Sequence, residues 1–145
     1  MCVALVAAAM LVTVGTATAH DGSGESRAHG MSPIASFDWH VSRDSDGHPH
    51  GYFRGKAPYG LDVLIALEGP ATCVDIEGNK VGFIYPVTDH SRPFILKGQY
   101  ILITGEDNGG NGRDKMGFQP TTSATGCSPS VDLFPVTSGH IEVHH

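Results

Sequence analysis

Ala71-Thr72-Cys73-Val74-Asp75-Ile76-Glu77-Gly78-Asn79-Lys80-Val81-Gly82-Phe83-Ile84-Tyr85 is the stretch that decides the fold class. Val74 and Ile76 alternate with Cys73, Asp75 and Glu77, the period of two that places every second side chain on one face of a strand. The alternation resumes after Gly78-Asn79 with Val81 and Phe83. A two-residue loop with glycine first suits a type II′ turn, whose twist matches that of the strands it joins. The register then sets Glu77 opposite Lys80, Ile76 opposite Val81 and Val74 opposite Phe83. Opposite charges flank the turn, and four apolar side chains share one face. Cys73, Asp75, Gly82 and Ile84 fall on the other.

The same period extends outward in both directions. Phe37, Trp39 and Val41 alternate with Asp38 and His40, Asp46-Gly47 supplies a turn, and residues 48–56 return as a second hairpin arm. Leu61, Val63, Ile65 and Leu67 mark a third strand. Residues 94–96 and 99–104 read as further strands, broken at Lys97-Gly98 by a bulge. Both sides of the segment 100–103 are apolar, which predicts a central strand. Residues 116–119, 131–134 and 140–143 complete the set, and nothing after residue 19 has a helical period. Short strands separated by Gly and Pro turns predict an all-β domain, either a single antiparallel sandwich or a small β-barrel of about eight strands.

The first nineteen residues differ in kind. Val3 to Val14 is almost wholly apolar and leads to Ala17-Thr18-Ala19, the small-residue pattern at which a signal peptide is cut. The apolar run is too short to span a bilayer, and no Lys or Arg precedes it. The expected organisation is a signal peptide over 1–19, a flexible N-terminal arm over 20–32, where almost nothing is apolar, and the β-domain over 33–145. Cleavage would discard Cys2 and leave Cys73 and Cys127 as an even pair in an oxidising, extracellular setting, where a disulfide is expected.

The 145-residue chain carries a net charge of −6. Nucleic-acid binding needs clustered Lys and Arg, so that class of partner is excluded, as is an integral membrane segment in the mature chain. No serine-nucleophile elbow, H-E-x-x-H zinc motif or free thiol is present, so the reading leans away from an enzyme and leaves an extracellular hydrolase third. A non-enzymatic binding or structural module outside the cell comes first, with a cell-envelope or carbohydrate ligand as its partner class. A metal-binding secreted protein is the alternative.

Three stretches carry a resemblance. Residues 69–82, with their Thr72-Cys73 pair and Gly78-Asn79 turn, the Asp- and Gly-rich loop 106–114, and the late Cys127 resemble an uncharacterised group of small secreted actinobacterial β-rich proteins. The resemblance implies fold and export. It implies no activity.

Candidate ligands follow from residue type. Gly109 to Gly117 fits the calcium nonapeptide pattern as a single copy, and Asp107, Asn108, Asn111 and Asp114 offer the oxygen atoms that Ca²⁺ prefers. Among nine histidines, His48 and His50 share a face on extended chain, as do His140 and His144. His20, if it becomes the N-terminus, would add an α-amine to its imidazole, a pairing suited to Cu²⁺ or Ni²⁺. Trp39 alternates with Phe37 and Val41 and is expected in the core. Tyr59, between Pro58 and Gly60, is the aromatic candidate for ligand contact.

Overall fold

The computed structural model describes residues 22–57, 66–88, 98–110 and 112–145. Ten strands run through them: β1 Gly24–Met31, β2 Ser36–Arg43, β3 Pro49–Lys56, β4 Ala66–Pro70, β5 Cys73–Glu77, β6 Lys80–Pro86, β7 Tyr100–Glu106, β8 Lys115–Thr121, β9 Phe134–Pro135 and β10 Ser138–His144. Two antiparallel sheets result, one in the order β10-β1-β2-β3-β4 and the other in the order β5-β6-β7-β8-β9. The fold is an all-β sandwich. The β5–β6 hairpin has the register expected from its alternation, with Glu77 opposite Lys80, Ile76 opposite Val81 and Val74 opposite Phe83. Gly78 has φ +60°, the left-handed conformation that a glycine-first turn requires.

The chain changes sheets at two corners, and at each of them consecutive backbone N–H groups donate to different sheets. Ala71 N–H reaches Gly51 O in β3 at 2.9 Å, while Thr72 N–H reaches Ile84 O in β6 at 2.8 Å. At the second corner Val136 N–H bonds Asp114 O at 2.8 Å and Thr137 N–H bonds Met31 O at 2.7 Å. These corners divide the strands into two layers instead of one closed barrel. The apolar rows of both layers meet between them, with Trp39 stacked on Phe37 and tilted against Phe53 and Phe83.

Residues 24–31 are not a flexible arm. They form β1, hydrogen-bonded to β2 on one side and to β10 on the other. Low apolar content misleads here because the inward positions are small: Ser26 and Ala28 are buried, and Ser26 Oγ accepts the indole N–H of Trp39 at 3.0 Å. A strand packed against a large indole needs a partner for its N–H more than bulk of its own.

Cys73 and Cys127 are bonded, with Cα atoms 5.9 Å apart. Cys73 lies on the outer face of its sheet, so the bond draws residues 127–132 across β6, β7 and β8. There Ile84, Leu102, Cys127 and Val131 form a second apolar cluster. Gly82 and Gly117 make room for this segment: a Cβ on either would run into the carbonyl oxygen of Cys127 or of Asp132. The expectation of a strand over 131–134 is therefore corrected. Val131 plugs the outer cluster, and only Phe134–Pro135 pairs with β8. β7 is central and covered on both faces, as its two-sided apolar pattern predicts. Most of the expected strand over 61–67, the expected strand over 94–96 and Lys97 of the expected bulge lie outside the described residues.

Candidate cation site

The β2–β3 hairpin turns through Asp44 to His48. Gly47, at φ +85°, donates its N–H to Asp44 O at 3.0 Å, and Asp44 N–H bonds His48 O at 3.1 Å. The side chain of Asp44 organises the tip. Its Oδ1 accepts the backbone N–H groups of Asp46 at 3.0 Å and His48 at 2.8 Å. Its Oδ2 lies 3.1 Å from His50 Nε2 and 3.4 Å from His48 Nδ1. The hydrogen bond to His50, joined by those from the backbone, holds the Asp44 carboxyl down at about 2. Asp44, Asp46 and His48 each bring one ligand atom within 4.8 Å of the others.

This tip forms one lip of a cleft of about 650 Å³, the other wall being β5 and the disulfide-tied segment around Thr125 and Ser128. Asp75 and Glu77 face it from β5. Arg43 bridges the base of the hairpin to Asp75 Oδ1 at 3.4 Å, and Ser128 Oγ bonds Glu77. Four carboxylates, Asp44, Asp46, Asp75 and Glu77, line the cleft together with Arg43.

The Asp- and Gly-rich loop is differently used. Asp107, Asn108 and Asp114 do converge, whereas Asn111 lies outside the described residues. Asp114 Oδ1 accepts the N–H groups of Asn108 at 2.8 Å and Gly110 at 2.9 Å, and its Oδ2 accepts that of Ile141 at 2.9 Å. Asp107 accepts Gly109 N–H at 2.9 Å and Val143 N–H at 3.2 Å, and Asn108 Oδ1 accepts Asn79 Nδ2 at 3.0 Å. Each side-chain oxygen of the three residues already faces an N–H. Burial drives the Asp114 carboxyl up, but the three N–H donors and nearby His140 outweigh it and the group stays below its ordinary value. This loop holds its carboxylates with N–H groups, as the hairpin tip holds Asp44.

The remaining candidates are scattered. His140 and His144 both turn to Glu142, at 3.3 and 3.7 Å, on the solvent face of β10. His29, in the segment expected to be mobile, stands directly opposite His140, with ring centroids 4.5 Å apart. His20 and Tyr59 lie outside the described residues. Trp39 and Phe53 are core residues, and the exposed aromatic side chains include Tyr52 and Phe118.

No protein-family model, curated protein or solved structure matches this chain. Among the described residues no helix is long and apolar enough to cross a membrane, and the disulfide is compatible with an extracellular protein.

Proposed function

We propose that this chain is an exported, non-enzymatic binding module whose hairpin tip takes a divalent transition-metal ion. One observation carries the reading: ligand atoms of Asp44, Asp46 and His48 lie within 4.8 Å of one another, and the two aspartates also line the cleft. Imidazole mixed with carboxylate suits Zn²⁺, Cu²⁺ or Ni²⁺ better than Ca²⁺, which prefers oxygen alone. His50 holds Asp44 in place from the same hairpin arm. A tight turn closed by Gly47 fixes the spacing at small entropic cost to the bound state.

Calorimetric titration of the purified chain with Zn²⁺ alone tests the reading. The expected result is saturable one-to-one binding, weakened about tenfold or more by His48→Ala or Asp46→Asn and unchanged by His140→Ala. Zn²⁺ uptake that ignores both hairpin variants, or no saturable uptake, would sink the reading.

A further inference from the structure

We propose that the outer face of β10, β1 and β2 docks on an anionic lipid bilayer once its histidines are protonated. The side chains that alternate with buried Ser26, Ala28, Trp39, Val41 and Ile141 lie on this face. Register sets them in three rows, His140–His29–Asp38, Glu142–Arg27–His40 and His144–Glu25–Ser42. Arg27, His40 and His144 each leave more than half of the side chain exposed, at 57%, 59% and 59%. Arg27, His29, Asp38, His40 and His140 line a surface depression of about 340 Å³, room for the phosphate head of a lipid.

Glu25, Asp38 and Glu142 against Arg27 give these three rows a charge of −2 with neutral imidazoles, and four protonated imidazoles bring it to +2. Histidine ordinarily gains its proton between about pH 8 and 5, where carboxylates ordinarily stay ionised, so mild acid reverses the sign of the face. The rings of His29 and His140 have centroids 4.5 Å apart. Two imidazolium groups that close repel, and an external anion relieves them, so protonation and docking reinforce each other. Neighbouring groups leave this balance in place. On β3, Arg54 is paired with Glu68 at 3.3 Å, Tyr52 stays neutral and Lys56 stands a row beyond the patch. His50 and Asp44 hold each other at the hairpin. Past His144, Arg43 is bonded to Asp75 and His145 to Gly78 O. At the far edge Asp114, near His140, and Asp107 are turned to the N–H groups of β10. The imidazoles spread over three strands and the patch carries no apolar side chain, so its match is a plane of phosphates held by charge and not by insertion. Docking here does not depend on a metal at the hairpin tip.

The test is flotation of the whole chain with vesicles of equal parts phosphatidylglycerol and phosphatidylcholine, and with phosphatidylcholine alone, which reports any binding through the apolar N-terminal run. We expect the mixed vesicles to bind at least about tenfold more tightly at pH about 5 than at about 7.5, and high salt to abolish that gain. His29→Gln/His140→Gln should lose most of the gain. His29→Arg/His140→Arg makes the same two charges permanent and should dock at pH about 7.5 as well, an outcome that a misfolded variant would not give. Equal binding at the two pH values overturns the proposal, as does a gain that survives in the Gln variant. Acid-dependent retention on soluble dextran sulfate without uptake by the vesicles overturns it too, in favour of a soluble polyanion.

Discussion

Asp114 Oδ2 accepts the backbone N–H of Ile141 across 2.9 Å, and through that bond the β7–β8 loop of one sheet caps the edge strand of the other. Asp107 does the same for Val143 at 3.2 Å. β10 pairs with β1 on one side only, so its outward N–H groups would otherwise be free to recruit another chain. Two carboxylates answer them instead.

Asp114→Ala should therefore be strongly destabilising. It strands the N–H groups of Asn108, Gly110 and Ile141 around a buried position, and we expect a loss of about 3 kcal/mol or more in urea denaturation. Asp114→Asn restores an acceptor but turns an amide N–H₂ towards one of the donors, so its loss should be smaller yet clear.

Acid should weaken the fold through the same group. The Asp114 carboxyl sits below its ordinary value of 3.8 in the folded chain, so its contribution is complete above that value and disappears as pH falls through the folded one. Stability measured by denaturation should hold from neutral pH down to about 4 and then decline. In Asp114→Asn the decline below pH about 4 should be shallower, because the variant has no proton to gain there. Equal slopes in the two proteins would show that other carboxyls carry the acid sensitivity.

The disulfide should act locally as well as globally. Replacing Cys73 and Cys127 together by Ser should cost up to about 4 kcal/mol in the chain-entropy account, given their sequence separation of 54. Hydrogen exchange should accelerate over residues 125–132 and leave β1, β2 and β10 protected. Uniform acceleration would mean that the outer segment is not a separate layer.

Gly82→Ala tests the same layer from beneath. A methyl group there collides with the Cys127 carbonyl, which backbone alone can relieve, so a loss of about 2 kcal/mol is expected. Gly78→Ala meets no atom, and its cost, from the positive φ alone, should be smaller, about 1 kcal/mol.

Ser26→Ala examines the first strand. It leaves the buried indole N–H of Trp39 without its acceptor, at a cost of about 1 to 3 kcal/mol, and Trp39 is the only tryptophan, so its fluorescence should report the change directly. A neutral substitution would argue that β1 contributes little to the fold.

Alternation made much of this architecture legible in advance. The β5–β6 hairpin and β2 announce themselves through large apolar residues at every second position, and the central position of β7 through apolar residues on both faces. β1 did not, because Ser26 and Ala28 carry too little apolar surface to register as a core face. The segment 131–134 misled for the opposite reason: Val131 and Phe134 are apolar, but their burial depends on a disulfide and two glycines that period cannot reveal. At the candidate cation site His48 and His50 stood out by type, while Asp44 and Asp46 passed unnoticed. The spacing Asp44-x-Asp46-x-His48-x-His50 across a glycine turn was the available signal. For Asp107 and Asp114, composition shows the carboxylates but cannot show which backbone N–H groups they accept.

The pairing of β1 with β10 sets Glu25 opposite His144 and makes the first strand wait for the tenth. During synthesis β2 to β9 can assemble as each strand emerges, but β1 has one neighbour missing until the closing seven residues of β10 arrive. Such long-range closure is slow, and meanwhile β1 is an open edge with the register to accept a foreign strand. A chain cut short before Ser138 would lose both that partner and the N–H groups that Asp107 and Asp114 secure. β10 thus seals a seam that β1 alone leaves open, and a chain without it keeps an edge ready to recruit others.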